Sequence, residues 1–368
     1  MSSLENSLFD HLKARGLWTA QSLLGDDAAI LPYAAENLVV SADLLTEGVD
    51  FLLAEAVPER VGRKALAVNL SDLAAMAAVP EGFTVSLAIP QNWPVGVTPA
   101  FAYENLTPLE YLKRFYDGLL SLADEFQIPL VGGDTNTFSG PLTIAVSIFG
   151  HIEGTVGGTG EGTVGGAGAE IGGLNRFLKA ANSLARYHAP GTPWLRSSAC
   201  PGDAVLLTGP VGGSIFERQF TFTPRVREAL YLRKNRTIHA AMDISDGLTL
   251  DLSRLAAQSG VGIALDLARI PIHPDAYRYE ESALNLEPVQ IYDSALSHAL
   301  SDGEDFELIL TAPESEARII ADDPKYRELF GRSPVIIGKV IAGSGLQTTE
   351  GRALTPCGFE HRQEQSVF

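Results

Sequence analysis

Aspartate recurs along this chain in short motifs, and most of these motifs directly follow an apolar run. The motifs are GDD at 25–27, SAD at 41–43, SD at 71–72, GGDT at 132–135 and DISDG at 243–247. From this pattern we expect each carboxylate to lie where a strand or helix ends. Acids that converge in a fold repel one another and raise each other's pKa values. Because Mg²⁺ prefers oxygen ligands and bridges carboxylates to phosphates, the motifs predict a Mg²⁺–nucleotide site.

The size and charge of the chain exclude several classes of protein. Its 368 residues suffice for two domains, each with a hydrophobic core. A formal net charge of −18 argues against non-specific nucleic-acid binding, which requires faces rich in Lys and Arg. No apolar run approaches the roughly 20 residues that cross a bilayer, and no signal-peptide pattern begins the sequence. Cys200 and Cys357 lack CxxC spacing, so we expect free thiols, a reducing compartment and a cytoplasmic protein.

Strand-like and helix-like stretches alternate in both halves of the chain, which predicts two domains of α+β or α/β class. In the first half, strands are predicted at 37–42, 83–89, 128–131 and 142–151, and helices at 58–78 and 108–126. In the second half, strands are predicted at 203–208, 261–267, 306–311 and 334–340, and helices at 224–235 and 247–259. Ser245 is the predicted N-cap of the last helix, and Gly260 its C-terminal stop.

A Gly-rich stretch over 153–192, in which GTVGG occurs twice, interrupts this alternation. Its composition is typical of a flexible insertion or loop. We therefore expect an N-terminal domain over 1–152, an insertion or linker over 153–192, and a C-terminal domain over 193–368.

Other common catalytic patterns give weaker signals than the aspartates. GEGTVG at 160–165 matches G-x-G-x-x-G, but it lies in a Gly repeat where such a match arises by chance. The sequence contains no Walker A pattern, which argues against a P-loop enzyme. The histidines are scattered without HExxH spacing, so a Ser-His-Asp or zinc hydrolase is poorly supported.

Three of the aspartate motifs suit a phosphate and metal site in different ways. Helical spacing places Lys64, Val68 and Asp72 on one face, where an Asp among apolar residues is costly unless it is paired or metal-bound. In GGDT at 132–135, the glycines allow the backbone to approach a phosphate while the Asp reaches a metal. In DISDG at 243–247, two acids and a hydroxyl lie at a predicted helix N-terminus, which favours phosphate oxygens.

The motifs together resemble those of the thiamine-monophosphate kinase family, in the superfamily of aminoimidazole ribonucleotide synthetase. The matching stretches, in the family's order, are GDDAA (25–29), ADLLTEGVDF (42–51), GRKALAVNLSDLAAM (62–76), GGDT (132–135), RSSACPGD (196–203), MDISDGL (242–248), GEDFEL (303–308) and GFEH (358–361). The similarity spans nearly the whole chain except roughly 153–192, and NLSDLAAM and DISDGL are its most specific elements.

The resemblance implies an N-terminal α+β domain whose strands pair with a second subunit, giving a homodimer, and a C-terminal α/β domain. ATP and thiamine monophosphate are expected in the cleft between the domains, with Mg²⁺ assisting in-line phosphoryl transfer to give thiamine diphosphate. By resemblance, the Mg²⁺ ligands are Asp27, Ser41, Asp43, Asp72, Asp134, Asp243 and Asp246. The implied ATP contacts are Tyr116, Gly133, Asp134, Arg196 and Ser245. The implied contacts to thiamine monophosphate are Asp50, Glu304 and Phe359. No general base is needed, because a phosphate monoester with a second pKa of about 6 is largely ionised at neutral pH.

Several positions depart from the family pattern. Ala42 stands where Thr is usual, and Asp50 replaces a common His beside the substrate. Asp302 interrupts a usual Gly-Gly pair, and Gly213 stands in place of the Asp of Gly-Asp-Ser. Any metal contact at Ala42 must come from the backbone, but most of the metal ligands are retained, so the sequence predicts ATP binding more firmly than the acceptor. Two alternatives stay open: a related ATP-dependent synthetase acting on another small metabolite, and a non-catalytic nucleotide-binding protein.

Overall fold

The computed structural model describes residues 38–93, 106–152, 194–278 and 294–359. Three features of the sequence lie outside these described residues: Asp27, the Gly-rich stretch 153–192 with the expected domain division, and His361. Among the described residues, no helix is both long enough and apolar enough to cross a membrane.

The N-terminal part contains a four-stranded sheet with the order β1-β4-β2-β3. Its strands are β1 (Leu38–Thr46), β2 (Val79–Pro90), β3 (Leu130–Phe138) and β4 (Thr143–His151). Strand β4 is antiparallel to both β1 and β2, whereas β2 and β3 are parallel. In β4, Ile144, Val146 and Ile148 are buried at every second position, as expected for a strand with one face on a core.

Two long helices, α1 (Pro58–Ala75) and α2 (Pro108–Phe126), pack against each other in the N-terminal part. Each begins with Pro, and Thr107 forms a capping box with Glu110 at the start of α2. The two backbones touch: a Cβ atom on Gly62 would lie 1.9 Å from the carbonyl oxygen of Phe115. This close approach fixes α1 in place, and α1 carries the SD motif.

The C-terminal part is built on a seven-stranded sheet with the order β11-β10-β7-β9-β5-β8-β6. Its strands are β5 (Asp203–Leu207), β6 (Ala240–Asp243), β7 (Gly262–Leu265), β8 (Leu308–Pro313), β9 (Val335–Ile341), β10 (Gly345–Thr348) and β11 (Ala353–Leu354). Among the described strands of this sheet, β7 and β10 are the one parallel pair, so the sheet is mixed. The helices of this part are α3 (Arg218–Thr221), α4 (Val226–Asn235), α5 (Leu248–Ser259), α6 (Ser294–Ser301), α7 (Glu314–Ala321) and α8 (Pro324–Phe330), with 3₁₀ turns at Leu267–Arg269 and Pro274–Tyr277.

The C-terminal sheet buries both of its faces. Leu206 and Leu310 belong to a core that continues into the N-terminal part, whereas Leu207 and Ile309 face a second core beneath α5. The two parts therefore share one hydrophobic core, and the elements that carry the aspartate motifs are held together by it.

The structure corrects the expected positions of the aspartates. Asp43 lies within β1, Asp72 within α1 and Asp134 within β3, and only Asp243 ends its element. The strand predicted at 128–131 in fact begins at Leu130 and continues through GGDT to Phe138, because β2 supplies hydrogen bonds along the whole segment. The two-domain α+β expectation is confirmed, as is Gly260 as the left-handed C-terminal stop of α5.

Candidate active site

Strand β1 and helix α1 bring three polar groups of the N-terminal part together. Ser41 and Asp43 alternate along β1 and lie on the same face, and the Ser41 hydroxyl donates a short hydrogen bond to the Asp72 carboxylate. Burial, followed by the neighbouring Asp72 carboxylate, raises the pKa of Asp43 to about 7. Burial also raises the pKa of Asp72, while the Ser41 hydrogen bond opposes this shift.

The C-terminal part contributes Asp243 to the same cluster. Asp243 is 2% exposed at the end of β6, and the Ser71 hydroxyl donates to its Oδ2 over 2.7 Å. Burial, followed by the Asp72 charge, raises the pKa of Asp243 to about 8. Arg196 is close enough for its positive charge to lower the pKa values of Asp72 and Asp243. Acids from both parts of the chain therefore converge, as the sequence predicted for these positions.

The chemistry of this cluster fits a hard divalent cation. Asp43, Asp72 and Asp243 offer only oxygen donors, which are the donors that Mg²⁺ prefers. Their raised pKa values reflect desolvation by burial and, for Asp43 and Asp243, repulsion by the Asp72 carboxylate, and a bound cation relieves both effects.

Asp134 is not brought into this cluster within one chain. The strand register places Asp43, Val146, Val85 and Gly133 in one row across the sheet, so their side-chain directions share a face. Asp134 belongs to the next row, on the opposite face, and its Oδ1 accepts a hydrogen bond from the Thr135 amide over 2.8 Å. Its exposed side chain therefore faces away from the converged acids.

Gly133 has a structural reason to be glycine. A Cβ atom at this position would lie 1.9 Å from the carbonyl oxygen of Val85, so any side chain would separate β3 from β2. The sequence predicted that this glycine lets the backbone approach a phosphate. The contact with β2 is sufficient to require it, and the phosphate contact stays a prediction.

The DISDG loop is organised by an acid that none of the sequence motifs includes. Asp251, fully buried in the first turn of α5, accepts hydrogen bonds through Oδ2 from the amides of Ser245, Asp246 and Gly247 over 3.1, 3.0 and 3.2 Å. Burial is the main cause that raises the pKa of Asp251 to about 6. The prediction of Ser245 as N-cap is wrong, because Gly247 occupies that position and Asp251 caps from within the helix. The signal available in the sequence was an acid in the first helical turn, where the helix dipole favours it.

Of the other predicted residues, Asp246 lies in this loop and Tyr116 lies in the core of the N-terminal part. Asp246 forms an ion pair with Arg254, which also contacts Asp251 over 2.9 Å. Tyr116 is 4% exposed in α2, with its ring 5.3 Å from that of Phe115 in an edge-to-face contact. Burial raises the pKa of the Tyr116 hydroxyl, so the structure describes it as a core residue, and its ATP contact stays a prediction.

The three residues predicted for the acceptor lie near two elements. Asp50 lies near the start of α1, and Glu304 and Phe359 lie beside the DISDG loop. The Asp50 Oδ2 atom accepts a hydrogen bond from the Thr46 amide over 2.7 Å and closes the turn after β1. Glu304 pairs with Lys64 over 2.6 Å, and burial raises the Glu304 pKa although Lys64 opposes the shift. Phe359 is 51% exposed, and its amide donates to the Asp246 carbonyl oxygen over 2.8 Å.

His239 and Cys200 adopt an arrangement that their sequence spacing did not indicate. The His239 Nδ1 atom lies 2.9 Å from both carboxylate oxygens of Asp203, and the Cys200 amide donates to Asp203 over 2.8 Å. Asp203 begins β5 and His239 directly precedes β6, whereas Asp243 ends β6. This group therefore lies at the opposite end of these strands from the converged acids.

Comparison with known proteins identifies the family. The family models of AIR synthase related protein match residues 25–152 with the N-terminal domain and residues 201–350 with the C-terminal domain. A thiamine-monophosphate kinase of Rhodopirellula baltica is 32% identical over 97% of this chain and 97% of its own length. The chain belongs to the thiamine-monophosphate kinase family.

Solved structures agree with this assignment. The crystal structure of the thiamine-monophosphate kinase from Stenotrophomonas maltophilia has a TM-score of 0.66 and 29% identity, and the match covers 95% of this chain and 97% of that one. The structure of AaThiL complexed with AMPPCP and TMP has a TM-score of 0.64 and 24% identity, with 98% and 99% of the two chains covered, and supports the fold.

Two of the departures from the family pattern contact each other. The Gly213 amide donates to Asp302 Oδ2 over 2.8 Å. A Cβ atom on Gly213, which has φ +76°, would lie 2.4 Å from the backbone of Asp275, so no side chain fits there. The Asp302 carboxylate therefore lies directly across from a position that admits only glycine.

Proposed function

We propose that this chain transfers the γ-phosphoryl group of ATP to thiamine monophosphate, giving thiamine diphosphate and ADP. The observation that carries the proposal is the convergence of Asp43, Asp72 and Asp243 from the two parts of the chain. Such a cluster would destabilise a protein that did not use it to bind cations. Membership of the thiamine-monophosphate kinase family supports the choice of acceptor.

The residues of the converged cluster would hold Mg²⁺, and Ser41 and Ser71 fix the directions of two of the carboxylates by donating hydrogen bonds to Asp72 and Asp243. Bound Mg²⁺ would supply neutralisation of the phosphate charges. Arg196 adds a positive charge beside the same acids. We assign no general base, because the attacking oxygen of a phosphate monoester is already largely ionised at neutral pH. Catalysis by these side chains then consists of alignment and charge compensation.

We assign ATP contacts to Tyr116, Gly133, Asp134, Arg196 and Ser245, and metal contacts also to Asp27 and Asp246, on the basis of the family motifs. We assign the acceptor to Asp50, Glu304 and Phe359. The thiazolium ring of thiamine carries a permanent positive charge, which suits two carboxylates and an exposed aromatic face. The position of Phe359 beside Asp246 supports an acceptor site adjacent to the metal cluster.

The decisive test is an assay with purified protein, Mg²⁺, ATP and thiamine monophosphate. We expect stoichiometric formation of thiamine diphosphate and ADP, separated by chromatography. If the protein binds ATP but forms no thiamine diphosphate, the acceptor assignment is wrong while the nucleotide site stands.

We also propose that the protein is a homodimer that pairs through the exposed face of the N-terminal sheet. Leu38, Val40 and Leu44 are 51%, 54% and 61% exposed on one face of the edge strand β1. Asp134 lies on the same face in the row that contains Leu44, so pairing would place this acid at the interface. Exposed apolar side chains that line one face of a strand, as Leu38, Val40 and Leu44 do, are typical of a surface that a partner covers.

Light scattering after size exclusion tests this proposal. Wild-type protein should have twice the 39.3 kDa chain mass, and Leu44→Asp should shift it toward the monomer. Leu329→Asp is a matched control, since Leu329 is 50% exposed on α8. A monomeric wild-type protein would contradict the proposal.

We propose a cytoplasmic location on two grounds. Neither Cys200 nor Cys357 forms a disulfide among the described residues, and the proposed reaction uses ATP. Fractionation of cells would test this location.

A further inference from the structure

Lys64 is a buried cation to which neither the sequence motifs nor the proposed chemistry assigns a role. It lies in the second turn of α1, and its side chain is only 1% exposed. Its ammonium group has three acceptors within hydrogen-bond distance: the Asp50 carbonyl oxygen at 2.7 Å, Gln219 Oε1 at 2.7 Å and Glu304 Oε1 at 2.6 Å. The three donors of a lysine are therefore all used.

The stability of the fold does not by itself explain a charge at this position. Removing an ammonium ion and a carboxylate from water costs several kcal/mol per ion, and apolar residues of similar volume are often as stable. The Lys64 ammonium also lies 5.1 Å from the centroid of the Phe220 ring, so an apolar side chain would have a suitable neighbour. A specific use of the charge is the simpler explanation for its presence.

The groups that Lys64 contacts belong to separate elements. Asp50 is in the turn after β1, Gln219 is in α3, and Glu304 is in the loop before β8. Lys64 thus joins the N-terminal part to two segments of the C-terminal part. Two of its three partners are residues that we assign to the acceptor.

Both of these partners are held in fixed geometry, and Lys64 is part of the constraint on each. The Asp50 carboxylate is fixed by the Thr46 amide, and its carbonyl oxygen is fixed by Lys64. Glu304 adopts φ +61°, a left-handed conformation that is uncommon for a residue with a side chain, and its amide donates to the Ser245 carbonyl oxygen over 2.7 Å. Its side chain remains 32% exposed and is held through Oε1. Strain of this kind persists only where surrounding contacts determine the conformation.

We propose that Lys64 is a positioning residue for the phosphate acceptor, which holds the Glu304 carboxylate and the Asp50 turn in the geometry that binds thiamine monophosphate. This inference rests on the proposed function. Lys64 acts through its two partners and does not touch the reacting atoms. On the same face of α1, Asp72 lies eight residues further along, about 12 Å away at 1.5 Å per residue, so one helix positions the acceptor at one end and the metal at the other.

The test compares the Michaelis constants for the two substrates in Lys64→Met. We expect the KM for thiamine monophosphate to rise by at least about tenfold, because the partly buried Glu304 carboxylate loses the ammonium group that holds it. The KM for ATP should change by less than about threefold, since Lys64→Met leaves the converged acids unchanged. Lys325→Met is the control, because Lys325 pairs with Glu328 in an exposed ion pair, and its kinetics should equal those of the wild type.

A double-mutant cycle with Glu304→Gln separates positioning from general destabilisation. If Lys64 acts through Glu304, Lys64→Met should raise the KM for thiamine monophosphate by a factor at least about threefold smaller in the Glu304→Gln background than in the wild type. If Lys64→Met does not fold, Lys64→Gln, which keeps a hydrogen-bond donor, is measured by the same criteria. The positioning role would be overturned if Lys64→Met raised both KM values equally. It would also be overturned if the Lys64→Met and Glu304→Gln effects on the KM for thiamine monophosphate were fully additive in the double variant. A wild-type protein that makes no thiamine diphosphate refutes the proposed function, and this inference with it, before any variant is compared.

Discussion

At the scale of single residues, Asp72 links the converged acids that we propose as the Mg²⁺ site. Its carboxylate accepts from Ser41 and raises the pKa values of both Asp43 and Asp243, so it lies between acids of the two parts. We expect Asp72→Asn to lower kcat by at least about a hundredfold, because an amide is a much weaker ligand for Mg²⁺ than a carboxylate. The midpoint of thermal unfolding without Mg²⁺ should stay the same or rise, since one repelling charge is removed.

Asp322→Asn provides the comparison for this variant. Asp322 is exposed at the end of α7, which follows the far end of β8, and its replacement should leave kcat unchanged. Wild-type turnover in Asp72→Asn, measured at saturating ATP and thiamine monophosphate, would mean that the converged acids do not hold the catalytic metal.

The acids of the cluster could be predicted from the sequence, whereas the contacts that hold the neighbouring DISDG loop and the Asp50 turn could not. Asp43, Asp72 and Asp243 carry their chemistry in local motifs. The contacts of Lys64 and Asp251, by contrast, depend on what folds against them. Glu304 is far from Lys64 in sequence, and no local pattern around either residue indicates the pair. Spacing along a helix predicted the face that Lys64 occupies but not its partners.

At the scale of elements, capping chemistry decided which boundaries were predictable. Helix α2 begins and ends as expected, because Pro108 follows a Thr107 capping box and the chain turns left-handed at Gln127. Strand β3 was predicted too short, since consecutive glycines favour a turn when neighbours are ignored. Pairing with β2 along its whole length overrides that local preference.

The two glycines of GGDT provide a matched pair of variants for this strand. Gly133→Ala would place a methyl group 1.9 Å from the Val85 carbonyl oxygen, whereas in Gly132→Ala the nearest atom is Thr84 Cγ2 at 3.6 Å. We expect Gly133→Ala to lower the free energy of unfolding by about 1–3 kcal/mol or more, as overpacking does. Gly132→Ala should cost less than about 1 kcal/mol in urea denaturation. Equal stability of the two variants would contradict the close β2–β3 contact.

At the scale of the whole molecule, helix α1 connects the two parts of the chain through polar contacts at both ends. Ser71 contacts Asp243 and Lys64 contacts Glu304, and a shared hydrophobic core lies beneath both contacts. The site is thus completed only when both parts fold together, and stability and cation binding should be coupled.

This coupling predicts how Mg²⁺ changes thermal stability with pH. The folded pKa values of Asp43 and Asp243 are raised to about 7 and about 8, above the value of about 3.9 for an unfolded Asp. Between about pH 4 and about pH 8 the folded metal-free protein therefore binds more protons than the unfolded chain, so its stability falls as the pH rises over this range and levels off above it. Mg²⁺ binds the deprotonated carboxylates, so the increase in melting temperature that it causes should be several degrees larger at about pH 8.5 than at about pH 6. Scanning fluorimetry against NaCl of equal ionic strength measures this difference, and an increase that is the same at both pH values would contradict the shared cation site.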